Sequence, residues 1–132
     1  MVLPRFVQSA IKNENLRVYG DGSQSRVFCH VSDAVSAVMT IFEDGRGEGH
    51  AFNIGGEEEV SIRELAERVI IVTGSSSRIE YVSYEDAYPA GFEETMRRVP
   101  DTTKLRTLTG WKPKYSLDEI IKDIENYFRS KS

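Results

Sequence analysis

The sequence predicts an α/β protein with an α+β arrangement of short strands and helices, and three observations lead to this prediction. Apolar residues recur at helical spacing in several stretches, and two of these begin with a Ser-x-x-Glu capping box. Short apolar runs of strand length alternate with them and are bounded by glycine or polar turns. A chain of 132 residues can build one modest hydrophobic core, so we expect one domain over residues 1–132.

The first predicted element is a short helix that runs from Pro4 to about Lys12. Proline suits the first turn of a helix because its φ is already fixed at a helical value. No capping residue precedes Pro4, so we expect the natural polypeptide to continue upstream. The apolar residues that follow at helical spacing are Phe6, Val7, Ala10 and Ile11.

A glycine-bearing turn then separates two predicted strands, at Leu16–Tyr19 and at residues 27–31. Gly20 and Gly22 can adopt the positive φ that tight turns require. Arg26 leaves this turn with a fixed backbone, and its planar guanidinium suits a phosphate or a carboxylate. It is therefore the first candidate anion-binding residue. The alternative is an ordinary hairpin with a solvated arginine, and the turn matches neither a Rossmann nor a Walker loop.

The middle of the chain is predicted as a helix, a strand and a second helix. Ser32 is placed to cap the first helix, whose apolar residues are Val31, Val35, Val38, Met39 and Phe42. The predicted strand is residues 51–54. The second helix begins at the capping box Ser61-x-x-Glu64 and ends at Gly74, with Ile62, Leu65, Ala66, Val69 and Val72 on its apolar side.

The last third begins with a predicted strand at Ile79–Val82 and an acidic, aromatic segment at residues 84–95 that is long enough to indicate a function. Asp101 can cap a short helix that ends at Gly110. The capping box at Ser116 opens the final helix, and its predicted core stripe is Leu117, Ile120, Ile121, Ile124, Tyr127 and Phe128.

Composition excludes several classes of function. A net charge of −4 argues against a nucleic-acid partner, and no apolar run is long enough to span a membrane. The single cysteine, Cys29, excludes an internal disulfide and indicates a reducing cytoplasm. Cys29, His30 and His50 do not have metal-ligand spacing, so we predict no metal site. The acidic runs at residues 57–59 and 93–94 are interpreted as solvated faces, and no catalytic residue is predicted.

Six motifs follow one another along the chain. They are Val2-Leu3-Pro4-Arg5-Phe6, Val18-Tyr19-Gly20-Asp21-Gly22-Ser23-Gln24-Ser25-Arg26, His30-Val31-Ser32-Asp33, Phe52-Asn53-Ile54-Gly55, Arg98-Val99-Pro100-Asp101 and Gly110-Trp111-Lys112-Pro113. In this order they resemble the C-terminal half of the extended short-chain dehydrogenases that act on nucleotide-diphosphate sugars. This family includes 4-epimerases, 4,6-dehydratases and uronate decarboxylases.

The resemblance implies a substrate-binding role for specific residues. Arg26 and Arg98 would clamp the diphosphate, since two bidentate cations suit two phosphates. Tyr19 and the backbone around Val18 would lie against the nucleobase. Val2, in the first motif, is also predicted to be a substrate-binding residue. Asp101 would contact the ribose, or it would only cap a helix. Trp111 is interpreted as structural.

The resemblance also implies what the chain lacks. In this family the glycine-rich NAD loop and the Tyr-x-x-x-Lys catalytic set belong to an N-terminal Rossmann half. No such loop is present here, and the spacing of Tyr127 and Lys131 on the final predicted helix is interpreted as an accidental match. We therefore expect no cofactor in this chain, NAD in the full-length parent, and no catalysis by the chain alone. The helix after Ser32 and residues 51–54 would pack on the missing half, and an unpaired edge there could favour a homodimer.

For the parent enzyme, the resemblance favours an NAD-dependent sugar-nucleotide epimerase similar to UDP-glucose 4-epimerase. The alternatives are a 4,6-dehydratase or a uronate decarboxylase, or a binding module without catalytic activity.

Overall fold

The computed structural model describes residues 1–131 and confirms the mixed arrangement of helices and short strands. The helices are α1 (Val2–Ile11), α2 (Val31–Asp44), α3 (Ile62–Thr73), α4 (Tyr84–Ala87), α5 (Thr103–Thr109) and α6 (Leu117–Ser130). The strands are β1 (Leu16–Tyr19), β2 (Ser25–Val27), β3 (Glu59–Ser61), β4 (Ile79–Val82) and β5 (Arg97–Arg98).

The strands form two small sheets. In the first sheet β1 pairs with β4 in parallel. In the second sheet β2 is central, with β3 antiparallel on one side and β5 parallel on the other. The hairpin interpretation of the glycine turn is therefore wrong. The strands that flank the turn do not pair, because β1 buries Leu16 and Val18 between α1 and α3 and takes β4 as its neighbour.

The main hydrophobic core lies between α1, α3, α6 and strand β1. Its fully buried side chains include Val7, Leu16, Val18, Leu65, Val69 and Ile121. A second, smaller cluster joins α2 to α5 through Ala37, Leu105 and Trp111. The structural interpretation of Trp111 is therefore confirmed, and this small cluster fixes the position of α5 beside α2.

Both predicted capping boxes begin helices. At α6, Ser116 Oγ accepts the Glu119 N–H at 3.2 Å, and the Glu119 carboxylate accepts the Ser116 N–H at 3.2 Å. At α3, Ser61 Oγ accepts the Glu64 N–H at 3.1 Å. The prediction that Tyr127 belongs to the buried stripe of α6 is wrong, since Tyr127 is 57% exposed.

Helix α2 differs from the prediction in both its cap and its buried side. His30, and not Ser32, caps the helix, because the His30 Nδ1 atom accepts the Ser32 N–H at 3.0 Å. The predicted apolar stripe faces outward, and Phe42 is 83% exposed. The buried side instead carries Ala37 and Asp33, whose carboxylate accepts the N–H groups of Lys114 and Tyr115.

Two strand predictions also need correction, and two strands were not predicted. Strand β2 ends at Val27, so the predicted strand at residues 27–31 is wrong beyond that residue. Residues 28–30 connect β2 to α2, which begins at Val31. Residues 51–54 form no strand, which removes the unpaired edge on which the homodimer expectation depended. Strands β3 and β5 are too short and too polar to be recognised by apolar alternation.

None of the helices within residues 1–131 is both long enough and apolar enough to cross a lipid bilayer.

The buried carboxylate of Glu125 gives a testable pH dependence. Burial raises the pKa of Glu125. Hydrogen bonds from Lys122 and Arg129, both at 2.8 Å, together lower this pKa by more than burial raises it, so the net pKa lies below the ordinary value. Stability from this group is thus present above the ordinary glutamate pKa of about 4.3 and is lost as pH falls through the lower folded-state pKa.

We expect Glu125→Gln to be less stable than wild type at pH 7 and to show a smaller loss of stability on acidification. Urea unfolding between pH 7 and pH 3 measures both effects. Glu43→Gln is the control, because it makes the same charge change at an exposed position of α2. An unchanged pH profile in Glu125→Gln would contradict this assignment.

Candidate functional site

One large open cavity of about 930 Å³ lies against the second sheet. Its walls are formed by α1, the end of β1, strands β2 and β5, and the segment at residues 84–95. Four of the six predicted site residues line this cavity, namely Val2, Tyr19, Arg26 and Arg98. The fold therefore brings residues that are distant in sequence to one concave surface.

The two arginines are brought together by strand register. In the parallel pair of β2 and β5, Arg26 and Arg98 are direct partners. Because side chains alternate between the two faces along each strand, partnered residues project from the same face of the sheet. Both guanidinium groups therefore belong to one side of the cavity, where they raise the local positive potential. Two adjacent cations of this kind suit an anion with two charged groups.

Arg26 also has partners within the protein. Its Nη1 donates to the Ser25 carbonyl oxygen at 2.7 Å, and its Nη2 donates to Glu94 Oε1 at 2.5 Å. The side chains of Arg26 and Glu94 are only 16% and 15% exposed. The interpretation of residues 93–94 as a solvated face is thus wrong for Glu94, which the 84–95 segment delivers to the wall of the cavity.

An aromatic wall lies beside the arginines. The ring of Tyr88 packs edge-on against Tyr19 at 5.3 Å and stacks on Phe92 at 3.8 Å between centroids. Arg5 reaches from α1 toward the hydroxyl of Tyr19 at 3.4 Å. Burial raises the pKa of the Tyr88 hydroxyl, and the Glu94 carboxylate raises it further. The cavity therefore joins flat apolar surfaces to a cationic region, which are the two features that a nucleotide requires.

The glycines of the turn serve close packing of the protein itself. Gly20 has φ +67°, and a Cβ added there would meet the ring of Tyr84. Gly22 has φ +76°, and its Cβ would meet Val18 and the backbone of Arg63. The predicted positive φ values are confirmed. The turn is filled by protein atoms and leads into a strand, so it does not form a cradle for a dinucleotide.

Two of the predicted site residues lie outside the cavity wall. The side chain of Val18 is fully buried in the main core. The carboxylate of Asp101 accepts the Thr103 N–H at 3.0 Å at the start of α5, and hydrogen bonds from the side chain and the backbone of Thr103 lower the pKa of Asp101. Its backbone oxygen accepts from Asn53. Both positions are structural in this state, and a ligand contact by either one stays a prediction.

Several lining residues were not singled out from the sequence. These are Arg5, Gln24, Tyr88, Phe92 and Glu94. The length and the aromatic content of residues 84–95 were a usable signal for the last three. No sequence signal distinguished Arg5 from other helix arginines, because its role depends on the contact with Tyr19.

Residues 1–131 do not provide the glycine-rich strand-turn-helix that binds the pyrophosphate of NAD. Gly20 and Gly22 are covered by Tyr84 and Arg63, and the turn glycines Gly45, Gly47 and Gly49 follow helix α2, not a strand. The described residues therefore do not fit the pyrophosphate of a dinucleotide cofactor. Residues 1–131 also hold no group of three His, Cys, Asp or Glu side chains in a metal-binding arrangement.

Residues 1–124 match the family model described as GDP-mannose 4,6 dehydratase. The chain is 42% identical over 128 residues to UDP-N-acetyl-alpha-D-glucosaminuronate decarboxylase from Bacillus cytotoxicus. This alignment covers 97% of this chain and 40% of the decarboxylase.

Two solved structures share the fold. One is dTDP-glucose 4,6-dehydratase from Bacillus anthracis in complex with NAD, with a TM-score of 0.82 and 27% identity over 98% of this chain and 39% of that one. The other is UDP-glucose 4-epimerase from Thermotoga maritima with UDP-glucose, with a TM-score of 0.82 and 26% identity over 99% and 40%. The chain spans less than half the length of each of these proteins.

Proposed function

The chain belongs to the family described as GDP-mannose 4,6 dehydratase and corresponds to a C-terminal portion of its members, and we propose that it binds the nucleoside diphosphate of a nucleotide sugar. The observation that carries this proposal is the register of β2 and β5, which makes Arg26 and Arg98 direct partners at the cavity. We call this pair the arginine clamp. Tyr19 and Tyr88 provide ring surfaces beside it for the base.

The cavity also has a suitable size and chemistry. Its volume of about 930 Å³ lies in the range of sites that hold small molecules. Arg26 and Arg98 and the rings of Tyr19 and Tyr88 line the same cavity. These two kinds of group suit a nucleotide, which carries its charge on the phosphates and its flat surface on the base.

For the longer enzyme, we propose an NAD-dependent reaction on a nucleotide sugar. The 42% identity to a UDP-sugar decarboxylase supports decarboxylation of a UDP-uronate as the first candidate reaction. The second candidate is 4-epimerisation, which the likeness to UDP-glucose 4-epimerase supports, and a 4,6-dehydratase is a further member of the same group. Release of CO2 from a UDP-uronate by the full-length enzyme, compared with inversion at C4 of UDP-glucose, distinguishes the first two.

Binding by the isolated chain tests the proposal. We expect UDP to bind weakly and to lose affinity as salt increases, because the interaction is between charged groups in a cavity that is open to solvent. We expect NAD to show no saturable binding, because residues 1–131 do not provide the glycine-rich turn and helix that hold the pyrophosphate of this dinucleotide. Isothermal titration calorimetry with UDP and NAD at low and high salt measures both. Saturable NAD binding at micromolar concentration without UDP binding would overturn the assignment.

The exposed face of α2 supports a partner within the same enzyme. Val35, Val38, Met39 and Phe42 are all about half exposed or more, and together they form one apolar stripe. Because the chain spans 40% of its decarboxylase relative, we propose that the remainder of the enzyme covers this stripe. In the isolated chain the same stripe would promote self-association, which is the remaining support for a homodimer.

Lysine substitutions in the stripe test this covering role. We expect the double variant Val38→Lys/Phe42→Lys to self-associate less and to bind less of a fluorescent dye specific for apolar surfaces. We expect its melting temperature not to fall. Ser36→Lys, which adds charge at an exposed position outside the stripe, is the control. Light scattering and thermal unfolding provide the two readouts. A large fall in melting temperature would instead show that the stripe stabilises the isolated chain.

A further inference from the structure

The two arginines of the arginine clamp differ in their contacts within the protein. Arg26 is engaged by an anionic side chain of the protein, since both of its terminal nitrogens donate, one of them to Glu94. Arg98 has no carboxylate within ion-pair distance among residues 1–131, and its contact with Thr95 Oγ1 is 3.5 Å long. One arginine is therefore occupied from within, whereas the other is available to a ligand.

We propose that Glu94 is an internal competitor for the phosphate site at Arg26, and that a nucleoside diphosphate displaces it and thereby releases the segment at residues 84–95. This inference rests on the proposed function. A phosphate can replace the carboxylate directly, because both groups accept the same fork of guanidinium donors.

The competition separates diphosphates from monophosphates. A ligand with one phosphate can bind at Arg98 alone and leave the pair of Arg26 and Glu94 intact. A ligand with two adjacent phosphates reaches both arginines, so it must displace Glu94. The second phosphate therefore adds less affinity in the wild-type protein than it would without Glu94, and it changes the conformation of the segment that carries Glu94.

The contacts of this segment indicate where it moves. Its start is held, because the ring of Tyr84 packs over Gly20 and leaves no room for a Cβ there. Its end is held by β5, which pairs with β2. Between them, the edge-on contact of Tyr88 with Tyr19 and the pair of Glu94 with Arg26 attach the segment to the cavity wall. Loss of the Glu94 contact thus leaves the contact of Tyr88 with Tyr19 to hold the middle of the segment, which can then move.

Glu94→Gln tests the competition, because it removes the charge and keeps the size. We expect the variant to bind UDP about tenfold more tightly than wild type, the order expected when a ligand no longer displaces a charged hydrogen bond. We expect affinity for UMP to change by about twofold or less. Glu93→Gln makes the same charge change on the neighbouring exposed residue and should leave both affinities unchanged. Isothermal titration calorimetry provides the dissociation constants.

NMR spectra provide a second readout. In wild type, amide signals of residues 84–95 should move with saturating UDP and stay in place with UMP, and in Glu94→Gln they should already be displaced without ligand. An equal or weaker affinity of Glu94→Gln for UDP would overturn the inference, as would equal gains for UDP and UMP. If Arg98→Ala weakens UDP binding while Glu94→Gln has no effect, only the competitor role fails. Absence of UDP binding in wild type and in Glu94→Gln contradicts the proposed function itself.

Discussion

Replacing Ile121 with alanine is expected to lower the free energy of unfolding by about 2 to 5 kcal/mol, the range for large-to-small changes in a packed core. Ile121 is fully buried where α6 meets α1 and α3. Truncation removes apolar contacts and leaves a cavity that neighbouring helices can fill only in part. Urea unfolding followed by circular dichroism measures the loss.

Ile71→Ala is the matched control for this experiment. Ile71 also lies on a helix, but it is 76% exposed. Surface substitutions usually change stability by about 0.5 kcal/mol or less. A similar effect of the two substitutions would show that α6 does not pack on the main core as described.

Removal of either clamp arginine is expected to weaken UDP binding by about 1.5 to 3 kcal/mol, the usual value of a hydrogen bond to a charged group. The loss of binding free energy should be toward the upper end of this range for Arg98→Ala. It should be toward the lower end for Arg26→Ala, because Glu94 already competes for Arg26. Lysine at either position should restore only part of the loss, since it lacks the planar fork of donors. Calorimetric titration at low salt measures these differences.

Arg97→Ala is the control for the clamp. Arg97 is adjacent to Arg98 in β5, but alternation places it on the opposite face, where its Nε donates to Glu59 at 2.9 Å. The charge change is the same, so a general electrostatic effect would weaken binding in all three variants. Unchanged binding in Arg26→Ala and Arg98→Ala would contradict the clamp.

Local sequence signals predicted the parts of the fold that depend on neighbouring residues. The boxes at Ser61 and Ser116 set the starts of α3 and α6, because capping involves groups only three residues apart. Gly74 and Gly110 end their helices in the left-handed conformation for the same local reason. The resemblance, and not periodicity, brought Arg26 and Arg98 into one site.

Contacts between distant residues were not predictable from these signals. The ion pair of Arg26 and Glu94 joins positions 68 residues apart, and a run of acidic residues looks the same whether it is solvated or paired. Helix α2 shows the same limit, since its apolar stripe is real but faces outward. The buried carboxylate of Asp33 holds the opposite side against residues 114–115.

The most direct test of the central claim is an NMR titration of the isotopically labelled chain with UDP at low salt. The account predicts that amide signals of Tyr19, of β2 and of β5 shift together with one dissociation constant, and that the shifts diminish in Arg98→Ala and at high salt. Signals near the smaller cavity at Phe28 and Tyr115 should stay in place. Shifts confined to that smaller cavity, or a response unchanged by Arg98→Ala, would contradict the claim that β2 and β5 build a diphosphate clamp.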